Sequence, residues 1–195
     1  MRKTVHSKLI CSYIFIGIVI AITLIFSFIG WKFYVCKEGI YLRKIDLLLP
    51  WEDVDAVSHV WINEWSRRPY GRQYFYNRKS LVIYRNNNKP ICIYNISLLA
   101  LYTIKILNPS IKTNIIVATL ATIFNITLNF GIFYYVFYRK LEFIDIKVFL
   151  IYISIYAIKS LIVPLIMVKY ENKIHGQYLF HDTAFNNNES KVIKL

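Results

Sequence analysis

Acidic side chains are scarce in this chain: 11 Asp and Glu stand against 24 Lys and Arg in 195 residues, a formal net charge of +13. Charge of either sign is thin as well, at 18% against the ~25% usual in globular proteins. Six Gly and five Pro exclude a collagen-like chain, and three scattered cysteines, Cys11, Cys36 and Cys92, exclude a disulfide scaffold. The four histidines, His6, His59, His175 and His181, show no metal-ligand spacing, and no cysteine pair resembles a zinc site. There is no G-x-S-x-G, no phosphate loop and no H-E-x-x-H. Glu52, Asp53 and Asp55 alternate along an apolar run as a solvated face does, and the adjacency of His181 and Asp182 in sequence makes no dyad. Neither catalysis nor a cofactor or metal is expected.

What is abundant is apolar surface. Hydrophobic residues make up 56% of the chain and aromatics 17%, which excludes disorder, and mean hydropathy is +0.41. Three stretches carry almost all of the charge deficit. Leu9 to Gly30 has no charged side chain and, at ~1.5 Å per residue, matches the ~30 Å of a bilayer core. Arg2, Lys3 and Lys8 precede it as they would a signal peptide. The apolar run is longer than a signal h-region, though, and bulky Trp31, Phe33 and Tyr34 follow where small residues would mark cleavage. Ile115 to Tyr138 is the second uncharged stretch, closed by an aromatic belt and by Arg139 and Lys140. Val148 to Val168 is the third, interrupted by Lys159 and Pro164. Backbone groups in lipid must be satisfied within the segment, so all three are expected as transmembrane helices, the last two as an antiparallel hairpin.

Residues 31–113 are different, holding 13 of the 24 cations and 6 of the 11 acids. Short Val-, Ile- and Tyr-rich runs alternate there with turn signals. Hairpins are expected over Phe33 to Ile45 and over Ser80 to Tyr94, the latter turning at Asn86-Asn87-Asn88-Lys89, with a strand from Trp51 to Trp61 and a helix from Ile96 to Leu107 capped by Asn95 or Ser97. Strands followed by one helix is an α+β order.

The string Gly39-Ile40-Tyr41, then Leu49-Pro50-Trp51-Glu52-Asp53-Val54, then the Leu81-Val82-Ile83-Tyr84 hairpin and a closing amphipathic helix resembles the bacterial membrane-tethered PH-like domains. The resemblance covers about residues 33–112. It implies a sheet of roughly seven strands closed by the helix at Ile96 to Leu107, with Pro50 opening a strand and Trp51 wedged under the sheet. The chain departs from the usual pattern in placing one span before the domain and two after it.

The expected architecture is therefore a membrane protein of α+β class: an N-terminal segment (1–8), a first span (9–30), a PH-like domain (31–113), spans at 115–138 and 148–168 joined by a loop (139–147), and a polar tail (169–195) whose Asn186-Asn187-Asn188 end is expected to be disordered. Cations near the membrane ends slightly favour the domain side, and the PH-like resemblance adds weight to a cytoplasmic domain in a multi-pass protein of the cytoplasmic membrane.

Two places carry candidate function. Trp61 to Lys79 mixes five cations with six aromatics and one acid, Glu64. Trp65, Arg67, Arg68, Tyr70, Arg72 and Tyr74 suit anionic phospholipid head groups or an acidic protein; a plain long hairpin with solvated arginines is the bland alternative, and nucleic acid is disfavoured beside a bilayer. Inside the bilayer, Thr122, Asn125 and Asn129 form one polar helix face that is expected to meet Lys159 across the hairpin, against the alternative that the lysine snorkels or that its depth is misjudged. The leading function is a non-catalytic binding module at the membrane surface. The rival is a bacteriocin-immunity or exclusion-type membrane protein whose partner is a toxin, since such proteins are short, basic and polytopic.

Overall fold

A computed structural model describes residues 14, 17–18, 33–67, 73–138, 145–179 and 191–195. The expected first span is represented only by Ile14, Gly17 and Ile18, which are helical; the rest of it, and the Asn186 to Asn188 run, lie outside the described residues.

Three short strands, β1 (Phe33–Val35), β2 (Gly39–Leu42) and β3 (Leu47–Pro50), form an antiparallel meander. Gly39 is required where β2 meets β3, because a Cβ there would sit 1.9 Å from the Leu49 carbonyl oxygen. Pro50 ends β3 rather than opening a strand, and Trp51–Asp53 is a single 3-10 turn, so the alternating run starts at Val54. Trp51 is held by its indole N–H donating to the Lys37 carbonyl at 2.8 Å. The large sheet has the order β7-β4-β5-β6-β8. Its centre is the long hairpin of β4 (Val54–Arg67) and β5 (Gln73–Arg85), which continues through the basic aromatic segment. β6 (Asn88–Tyr94) follows a two-residue turn in which Asn87 takes the left-handed conformation that Asn tolerates.

Alternation along β5 and β6 divides the core in two. Leu81, Ile83, Ile91 and Ile93 face one way and meet Ile40, Leu42 and Leu49 of the meander and Leu101 and Ile104 of helix α1 (Leu99–Leu107). Val82, Tyr84, Cys92 and Tyr94 belong to a second cluster, with Ala56, Val60 and Ile62 of β4 and Met167, Val168, Leu179 and Val192 from the C-terminal part of the chain. Helix α1 starts three residues later than its periodicity suggests, and Ser97 Oγ accepts from the Leu99 N–H at 3.3 Å.

After β7 (Lys112–Thr113), parallel to β4, come α2 (Ile115–Tyr138) and α3 (Ile146–His175), both long and apolar enough to cross a membrane. The Asp145 side chain caps α3 by accepting from the Lys147 N–H at 2.9 Å. Helix α3 runs seven residues beyond the apolar stretch that ends at Val168, because Met167, Val168 and Glu171 form one buried stripe that holds it to the β-domain. The tail also departs from expectation at its end. β8 (Ile193–Lys194) joins β6 in parallel, with Val192 and Leu195 buried, so this part of the tail is a strand of the large sheet. Among the described residues the chain is thus α+β, with two sheets and, beside α1, two helices of membrane-spanning length.

Candidate functional site

Helix α3 lies along β4, and three polar clusters mark the seam. The first begins with proline chemistry. Pro164 sits inside α3 without an N–H, so the Ser160 carbonyl one turn earlier lacks its helical donor. The hairpin supplies the substitutes. Asn63 and Asn77, paired across β4 and β5, each donate through Nδ2 to the Ser160 oxygen at 3.2 Å. Asn77 Nδ2 also donates to Asn63 Oδ1 at 3.1 Å.

Lys159 is adjacent and 6% exposed. Its ammonium donates to Asn125 Oδ1 on α2 and lies 4.1 Å from the Tyr156 ring centroid and 5.8 Å from that of Trp61. Of the three polar residues expected to face it, only Asn125 does so. Thr122 returns its hydroxyl to the Ala118 carbonyl at 2.8 Å, and Asn129 is exposed. Lys159 is therefore covered on one side by the hairpin, a neighbour that hydropathy does not register. Lys79, opposite Trp61 in the strand register, holds its ammonium 5.5 Å from the same indole ring.

The third cluster surrounds Glu171, 1% exposed. Tyr84 donates its hydroxyl to Oε2 at 3.2 Å and Asn114 donates Nδ2 to Oε1 at 2.8 Å. His175, one helical turn on, has Nε2 3.9 Å from Oε2 and stacks on Tyr84 with ring centroids 4.0 Å apart. Burial, then the neighbouring carboxylate, pushes the Tyr84 phenol far above its usual range, so it stays a donor. Asn114 extends the β7–β4 ladder with its side chain, accepting the His59 N–H at 2.8 Å and donating to the His59 carbonyl at 3.1 Å. The His59 ring is fully buried with Nε2 3.1 Å from the Ile96 carbonyl, and burial lowers its pKa; the ring is neutral, with the proton on Nε2 and Nδ1 left without a partner. Beside Glu171 a small cleft of about 160 Å³ opens, lined by Ser58, Lys112 and Tyr170 among others.

The basic aromatic residues sit at the far end of the same hairpin. Trp65, Arg67 and Tyr74 lie on its paired backbone, with Arg67 opposite Gln73, and Arg68, Tyr70 and Arg72 fall outside the described residues. Tyr84, Asn114 and Glu171 were not visible as a group in sequence, since 57 to 87 positions separate the partners. Pro164 did carry a signal, because a proline within a helix names the carbonyl that must find another donor. Among known protein families, characterised proteins and solved structures, none matches this chain.

Proposed function

We propose that this chain is a membrane-anchored, non-catalytic interaction module: a PH-like β-domain clamped to a pair of membrane helices, with the β4–β5 hairpin directed at anionic lipid head groups. The observation that carries this reading is the double life of α3. Phe149, Leu150, Ile151, Ile153 and Ile155 in its first half are exposed apolar residues suited to lipid, whereas Met167, Val168 and Glu171 in its second half are buried with the β-domain. In this reading one continuous helix serves both phases. The PH-like assignment is supported by strand order followed by a helix, with α1 and the meander packed on the same face of the large sheet.

The hairpin direction follows from the seam. Moving along β4 from Ser58 to Asn63 corresponds to moving back along α3 from Glu171 to Ser160. Beyond Asn63 the strand continues to Arg67 past the level of Ser160, so this end of the hairpin lies on the membrane side of the β-domain, and Trp65, Arg67, Arg68, Tyr70, Arg72 and Tyr74 are the residues we assign to head groups. Three arginines there contribute about 1 kcal/mol each in an acidic membrane.

The full chain in nanodiscs tests this, because Arg67 and Arg72 are also trypsin sites. Cleavage after Arg67 and Arg72 is expected to be at least ~10-fold slower in anionic than in zwitterionic nanodiscs, Arg68 being protected in both by Pro69. Equal rates would overturn the head-group contact, and release of the chain from cell membranes by alkaline carbonate would overturn the anchor.

A further inference from the structure

Lys159 is a buried cation, and the charge beside it is another cation. The ammonium groups of Lys159 and Lys79 lie 5.8 and 5.5 Å from one indole ring, that of Trp61. Among the described residues neither lysine has a carboxylate within ion-pair distance. Trp61 is 1% exposed and its indole N–H has no hydrogen-bond partner. Against these donors stands one side-chain acceptor, Asn125 Oδ1. Buried charge is costly unless a counter-charge or further hydrogen bonds compensate it. Among the described residues the donors here exceed the acceptors and both charges are positive, so the ligand that complements them is an anion.

Next to the cations is a slot for hydrocarbon. Tyr156, whose ring lies under the Lys159 ammonium, also lines an apolar cleft of about 330 Å³ between α2 and α3. Ile132 and Tyr135 of α2 and Phe149, Tyr152 and Ala157 of α3 form its walls. That volume is within the range of small-molecule sites. Cations at one end and an apolar trough at the other match an amphiphile with a negative head.

The geometry points to a site for one anionic phospholipid, its phosphate against Lys79 and Lys159 and one acyl chain in the cleft between α2 and α3. The site rests on the membrane reading above, yet it shares no residue with the hairpin tip. A choline phospholipid carries the same phosphate but offsets it with its own ammonium, so a pair of cations selects the net-negative head group. Each lysine supplies about fivefold selectivity, the equivalent of ~1 kcal/mol.

The test is native mass spectrometry of the full chain released from nanodiscs holding equal phosphatidylglycerol and phosphatidylcholine. The wild type is expected to retain phosphatidylglycerol at least ~10-fold over phosphatidylcholine, with each of Lys79→Gln and Lys159→Gln lowering that ratio about fivefold. Ala157→Phe, which fills the cleft, is expected to remove the bound lipid altogether, and millimolar inorganic phosphate is expected not to displace it. Lys79 is exposed, so its variant reports on the site even if Lys159→Gln fails to fold. Equal retention of the two lipids by the wild type, or an unchanged ratio in Lys79→Gln, would overturn the site. So would displacement by inorganic phosphate, which would mark a free-anion site instead. If the lysine variants are silent while Arg67→Ser/Arg68→Ser/Arg72→Ser lowers the ratio, this site fails and the surface reading stands; if carbonate strips the chain from membranes, the membrane reading fails first.

Discussion

The Ser160 carbonyl gives a sharp energetic test, because one missing hydrogen in α3 explains two asparagines in the hairpin. Asn63→Ala and Asn77→Ala each remove one neutral hydrogen bond to that oxygen, at about 0.5–1.5 kcal/mol. Together they leave a part-buried carbonyl without a donor, since Pro164 has none to offer, and the double variant is expected to lose about 2–3 kcal/mol. Pro164→Ala restores the helical N–H to Ser160. In that background the same pair of asparagine substitutions is expected to cost about 1 kcal/mol, as the oxygen is already satisfied. The coupling between the proline and the asparagine pair is therefore about 1–2 kcal/mol, beyond the ~0.3–0.5 kcal/mol within which independent sites add. Equilibrium denaturation of the wild type, Pro164→Ala, the asparagine pair and the triple variant, all full-length in one detergent and followed by tryptophan fluorescence, yields the cycle directly. Any packing lost with the proline ring cancels in the difference. A cost for the asparagine pair that is the same in the wild-type and Pro164→Ala backgrounds would refute the reasoning.

Two further outcomes follow from the buried polar groups. Glu171→Ala strands the Tyr84 hydroxyl and one Asn114 N–H, and is expected to destabilise the chain by about 2–4 kcal/mol, with Tyr84→Phe in the same background recovering part of the loss; calorimetry showing Glu171→Ala within ~0.5 kcal/mol of wild type would contradict a lock at this position. His59 is held neutral by burial, so its folded pKa lies below the ~6.5 of the unfolded chain. As pH falls below about 6.5 the unfolded state takes the proton first, and stability is expected to be flat above about pH 7 and to fall by up to ~1.4 kcal/mol per pH unit below that point. Denaturation midpoints from about pH 5 to 8, with His59→Gln as the control, check this: an equal acid slope in the control assigns the loss to other groups.

Local chemistry made some of this molecule legible and long-range contact hid the rest. The bounds of α2 coincide with the uncharged stretch Ile115 to Tyr138 because nothing but apolar composition and two flanking cations was needed to set them. The β5–β6 hairpin was equally plain, since Asn86 and Asn87 favour the turn that joins its alternating strands. By contrast β8 is two residues long and gains its place from pairing with β6, a partner far back in the chain, which no local pattern encodes. The run from Trp51 to Asp53 alternates like a strand but forms a 3-10 turn, because Trp51 is drawn to the Lys37 carbonyl. The end of α3 was masked for a related reason. Hydropathy falls at Lys169, yet a helix with one face on a sheet and another in water needs only a stripe of burial, which Val168 and Glu171 supply.

That same stripe resolves the apparent expense of Lys159. Counted along an apolar run, the residue sits deep in a span and costs about 2.5–3.5 kcal/mol. Counted around the helix, it faces Trp61 and Asn125, while Leu161, Ile162, Leu165 and Ile166 remain exposed on other faces. From Ile146 to Ile158, ahead of the contacts that Lys159 and Ser160 make with the hairpin, the helix rises only about 18 Å, short of a bilayer core of ~30 Å. From Ile146 to Ile166, on the uncovered faces, it rises about 30 Å and matches one. In the membrane reading, lipid therefore reaches further down α3 away from β4 than beside it, and the β-domain is set into the bilayer surface on one side. A lysine at that step has a protein wall behind it and head groups within reach, the position an anionic lipid phosphate would occupy.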